Sequence, residues 1–172
     1  VVEAETNLIP YIRTIVNGNT LIIDSRENLR PGMAINIYIK TPNVKYIELS
    51  GSGKIVCDSV SGNNVGSLIS GSGTIEANLY GAVSEIDISG SGNMIVNVES
   101  QITFCNISGS GDIYVSGTSP EGKFDISGSG NINSYDLYQD KLNANISGSG
   151  NMYVNVSDFL NAKISGSGSV YY

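Results

Sequence analysis

Histidine is absent from the 172 residues, and cysteine occurs only twice. The first absence removes the commonest general base and the commonest transition-metal ligand together, and many enzyme classes with them. Cys57 and Cys105 lack the spacing of a zinc or redox motif and fall in different repeats, so neither a metal site nor a disulfide is expected. Cations are scarce as well: 9 Lys and Arg stand against 16 Asp and Glu, for a net charge of −7. Such a chain repels the nucleic-acid backbone and anionic membrane surfaces. There is no apolar run of about 18 residues to make a spanning helix, and no basic-then-apolar leader. The abrupt start at Val1 reads as a processed or trimmed product, which is compatible with export.

What the chain does have is glycine, 21 residues of it, arranged in a repeat. Ser-Gly-Ser-Gly begins at Ser50-Gly51, Ser70-Gly71, Ser89-Gly90, Ser108-Gly109, Ser127-Gly128, Ser147-Gly148 and Ser165-Gly166, with spacings of 20, 19, 19, 19, 20 and 18. A near-fixed period of this length marks a repeat architecture. Between the motifs no helical stripe fits. Segments such as Asn93–Val98 and Asn151–Val156 alternate with period two and are rich in β-branched or aromatic residues, so each repeat is one coil of strands and turns.

Counting the first serine as position zero exposes columns that would stack at the strand spacing of about 4.8 Å. One residue before zero stand Leu49, Ile69, Ile88, Ile107, Ile126, Ile146 and Ile164. Positions three before, five after and seven after share that parity and are mostly apolar, from Ile47 to Ala162, Ile55 to Val170 and Cys57 to Tyr172. One parity means one side of the pleat, so these columns are the expected core. The opposite parity is polar. Asp87, Asn106, Asp125 and Asn145 stand two before zero, and Asn93, Asp112, Asn131 and Asn151 four after. Followed through the motif, the parity turns the serines outward and the glycines inward, at a narrow corner with no room for a side chain.

The expected fold is therefore all-β: a single-stranded, right-handed parallel β-helix (β-solenoid) with about 19 residues per coil. Residues 1–172 are expected to form one domain, with seven coils over 45–172 and an N-terminal cap and irregular first coils over 1–44. In that segment, Val16–Thr20 reads as a hairpin turn and Met33–Lys40 as an alternating strand. The chain closes in mid-strand at Val170-Tyr171-Tyr172, which raises self-association through an uncapped C-terminal end.

Candidate chemistry is sparse. The glycine motif opens no helix, as a phosphate-cradling loop would require, and reads as a structural turn. Asp87, Asp112 and Asp125 could share one face as acid/base or calcium groups, but their Asn and Thr neighbours suggest a solvated ladder. Tyr114 and Tyr153, six after zero, and Tyr135, eight after, are the candidate ligand-stacking residues, because aromatic faces two coils apart can stack on sugar rings. Three Asn-X-Ser sequons, at Asn106, Asn145 and Asn155, read as structural. No cofactor and no metal is expected.

The repeated Ile-Ser-Gly-Ser-Gly core, together with Asn7–Tyr11 and Ile37–Pro42 ahead of it, resembles the bacterial "auto-transporter adhesin, head GIN domain" family. The resemblance implies an exported protein of the cell envelope with an adhesin-like role, and it brings no site residues. Taken together, these readings favour a non-enzymatic surface module presenting a regular polar face to glycans or proteins. The alternative is a carbohydrate-active enzyme, a polysaccharide lyase or hydrolase, on the same scaffold.

Overall fold

The structure is a computed structural model that describes residues 1–172. It divides into two compact units, Val1–Pro42 and Asn43–Tyr172.

In the first unit the strands pair antiparallel. Ile12–Asn17 and Thr20–Ser25 form a hairpin closed by Gly18 and Asn19, with Gly18 at φ +58° in the left-handed region that such a two-residue turn requires. Arg13 and Asp24 face each other across it in a bidentate ion pair. The alternating stretch Met33–Lys40 contributes only Asn36–Ile37 as strand, paired with Val2–Glu3. Alternation gives a strand a face, but the length of the ladder depends on the neighbour, and here the neighbour is two residues long.

The second unit is a parallel β-solenoid of about seven turns. Strands approaching the motif, beginning with Tyr46–Gly51, Asn64–Gly71, Val83–Gly90, Ile102–Gly109 and Glu121–Gly128, pair in sequence to make an approach face. Strands leaving it, beginning with Lys54–Ser61, Thr74–Tyr80, Asn93–Glu99 and Asp112–Thr118, make an exit face. In the last coils two continuous strands, Asn131–Gly148 and Asn151–Gly166, run through both faces. Parallel strands need crossover connections, and here the next half-coil supplies them.

The motif is the corner between the faces. Its first glycine pairs with its counterpart in each adjacent coil, as Gly90 with Gly109 and Gly109 with Gly128. Each such glycine has a positive φ, +134° at Gly109, a region that side chains avoid. A Cβ on Gly71 would lie 2.6 Å from the Gly51 carbonyl oxygen, and one on Gly111, the second glycine of its motif, 2.7 Å from Cγ2 of Ile88. In the interior coils both glycines are thus required by the stacked neighbours; the second is buried and the first half-buried, while the serines are exposed.

The core lies where the parity places it. Ile69, Ile88, Ile107, Ile126 and Ile146 are at most 2 % exposed. Burying such a side chain contributes roughly 1.5–3 kcal/mol, so a single coil cannot offset its chain entropy and the stack can. Within one column, bulky Phe124 is followed by small Ala144, which preserves packing volume. Exposure rises toward the last coil: Ile164 is 44 % exposed, and Tyr172, after the strand Ser169–Tyr171, is 90 % exposed. At the other end Cys57 is only half-buried, while Cys105 is fully buried; both thiols are free.

Candidate binding surface

On the approach face, the residues two before zero and the motif serines both point outward, and the pleat between them leaves an open groove of about 640 Å³. It crosses the coils, so it runs along the solenoid axis. One wall is Asp87, Asn106, Asp125, Asn145 and Lys163, and the other is the first serine of successive motifs, Ser89 to Ser165. The backbone around Ile88, Ile107 and Ile126 forms the floor. Asn106 Nδ2 donates to Asp87 Oδ1 at 2.7 Å, and Asn145 Nδ2 donates to Asp125 Oδ1 at 2.8 Å. Lys123 Nζ lies 3.8 Å from Asp125 Oδ2.

On the exit face, a second ladder descends from Asp112. Asn131 donates to Asp112 Oδ1 from Nδ2 at 2.8 Å and from its backbone N–H at 3.1 Å, and Asn151 donates to Asn131 Oδ1 in the same two ways. Asp112 therefore sits beyond the corner from Asp87 and Asp125. The three carboxylates, which parity alone would allow on one face, lie on two because the motif bends the sheet between them. No three His, Cys, Asp or Glu side chains gather closely enough to hold a metal ion. The amides of all three sequon asparagines are engaged, Asn155 with the Tyr135 carbonyl at 3.3 Å.

The tyrosines lie on this exit face. Tyr114 is exposed, with Ile95 and Asn133 as its neighbours in register. Tyr153 is half-buried, stacked on Tyr171 with ring centroids 5.0 Å apart and planes 9° from parallel, and it meets the edge of Tyr135 at 5.9 Å. At strand spacing, aromatic neighbours stack on each other. The structure thus joins Tyr135 and Tyr153 through a ring contact, adds Tyr171, and leaves Tyr114 outside that cluster. Tyr171 was available from the columns, since it stands six after the last zero.

Burial reveals a further feature that the columns did not contain. Opposite the motif corner, Ser84, Ser100, Thr103, Ser119 and Gln139 are buried polar residues. Ser100 Oγ bonds Thr103 Oγ1 at 2.9 Å and Ser119 Oγ at 3.3 Å, and Ser119 Oγ donates to the Glu121 carbonyl. Neither side-chain atom of Gln139 meets a hydrogen-bond partner. Burial also perturbs one titratable group in the core: it pushes the Cys105 thiol well above its ordinary range, with a smaller push from the Asp87 charge.

A stacked-coil parallel β-solenoid with polar ladders on its outside is the class of protein that these features define. The chain belongs to the family described as "Putative auto-transporter adhesin, head GIN domain", whose model matches residues 1–172. It is also similar to a solved structure from Parabacteroides distasonis described as "Putative lipid binding protein", with a TM-score of 0.87 and 28 % identity over 99 % of this chain and 82 % of that one. No curated protein matches the chain.

Proposed function

We propose that this chain is a non-enzymatic, adhesin-like binding module of the cell envelope, presenting a regular polar surface to glycans or proteins. The observation that carries the reading is the axial groove, where polar side chains from Asp87 to Lys163 face a row of repeated serines coil after coil. The family name, which points to a surface or exported setting, supports it. A screen of the intact protein against glycan and matrix-protein panels is expected to give binders whose affinity falls in groove variants. Absence of any binder from both panels would overturn the reading. Release of new reducing ends from a bound polysaccharide would favour the alternative, a carbohydrate-active enzyme.

A second reading, lipid binding, draws on the description of the similar structure and on apolar side chains that point outward on the exit face, Val56, Ile95 and Tyr114, each about half exposed or more. Flotation with neutral phosphatidylcholine vesicles tests it: comigration that is lost in an Ile95→Ser/Tyr114→Ser variant supports lipid, and a protein left at the bottom of the gradient dismisses it.

A further inference from the structure

We propose that the approach-face groove takes one unbranched, uncharged polysaccharide chain lying along the solenoid axis, with a disaccharide in register with every two coils. The inference rests on the binding-module reading and names its ligand class.

Three observations carry it. First, a groove built from the same positions of successive coils repeats its hydrogen-bonding groups about every 4.8 Å, so the ligand that uses all of them is itself a repeating polymer. Second, the ladder is grouped in twos. Asn106 bonds Asp87, and Asn145 bonds Asp125, so the dyads recur every second coil, about 9.6 Å apart at strand spacing. That is close to the length of a disaccharide in an extended glycan. Within each dyad the single bond leaves one amide hydrogen and the amide oxygen, with the second carboxylate oxygen open at Asp87 and facing Lys123 at Asp125, and the facing serine hydroxyls can donate or accept. Sugar hydroxyls do both as well, and the chain around the isoleucines can lie under the C–H faces of the rings.

Third, the charges are of both signs. Asp87 and Asp125 share the wall with Lys163, which stands two coils beyond Asp125, while Lys123 pairs with Asp125 and exposed Glu85 flanks Asp87 on its own strand. A polyanion finds two carboxylates in its path on a protein of net charge −7, and a polycation finds Lys163 in the wall and Lys123 already paired with Asp125. An uncharged chain is not penalised either way.

The test is calorimetric titration of the full chain with β-1,4-linked glucose and N-acetylglucosamine dimers, tetramers and hexamers, with alginate oligomers as the acidic comparison. Affinity is expected to rise about tenfold from dimer to tetramer and to level off at the hexamer, because the groove holds two dyads; it is expected to be absent for alginate and to fall at least tenfold in Asn106→Ala/Asn145→Ala with an unchanged melting curve. Asn97→Ala, on the exit face, is expected to bind as the parent does. Neutral oligomers that bind the groove variant as tightly as the parent would overturn the groove assignment. Failure of every neutral oligomer while a protein from the wider screen still binds would overturn the ligand class and leave the binding-module reading standing. Failure of both would remove the two together.

Discussion

The two corners of each coil solve the same problem in opposite ways. At the Ser-Gly-Ser-Gly corner every coil has the same length and the glycines stack in unbroken register. At the opposite corner the ladder slips: the register shifts between Cys57 and Val60, between Tyr114 and Gly117, and twice between Ser134 and Lys141. These slips are where the repeat spacings of 18 to 20 are absorbed. The motif corner brings backbone against backbone with no side chain between, so an added residue has nowhere to go. The opposite corner is lined by side chains that rearrange, and a bulge accommodates the extra residue locally.

The most severe test of this contrast is Gly109→Ala. Its φ of +134° excludes a side chain, and the new Cβ is driven onto the Gly90 carbonyl oxygen. We expect a loss of about 3–5 kcal/mol in denaturant unfolding, combining backbone strain with overpacking. Wild-type-like stability would break the account of the corner. A paired insertion is expected to discriminate next: one glycine between Ser110 and Gly111 abolishes cooperative melting, while one between Tyr135 and Asp136 costs about 1–2 kcal/mol. Equal penalties would mean that the two corners do not differ in tolerance.

Gln139→Leu sharpens the comparison from the other side. The carboxamide is buried without partners, so an apolar side chain of similar size should raise stability by about 1 kcal/mol, read as a higher unfolding midpoint. A fall instead would show that Gln139 is satisfied by water in solution.

The smallest effect concerns the thiols. Half-buried Cys57 should react with a thiol reagent in the native state and buried Cys105 should not. Because the folded protein holds the Cys105 proton more tightly than the unfolded chain does, this group's contribution is intact below the unfolded thiol value of about 8.5 and is lost as pH rises through the raised folded value. Melting curves of the parent and Cys105→Ala should therefore converge at alkaline pH, relative to their difference at pH 7. A constant difference across that range would argue against the shift.

Much of the solenoid was legible in the chain because its period is a local signal. The isoleucines, the glycine corner and the Gly18 hairpin each follow from spacing or from a backbone angle that one residue type supplies. The candidate surface was legible only in parts. Asp87, Asn106, Asp125 and the motif serines stood in outward columns, but a column has no depth, and the groove between two of them appears only when the pleat is built. Parity alone allows Asp112 on the face of the other carboxylates, because it does not record the bend between its column and theirs. The columns place Tyr171 six after its zero, as they place Tyr153, yet the angle between the two rings depends on packing.

By itself, then, the sequence determined the architecture, the inward and outward faces, and the necessity of glycine at one corner, since these depend on period, parity and allowed backbone angles. Only the tertiary structure decided how deep the core runs at each end, where the slips fall, which amides pair with which carboxylates and where a groove opens. Those depend on the neighbours each coil has, and a residue's place in its own repeat does not specify what lies above and below it.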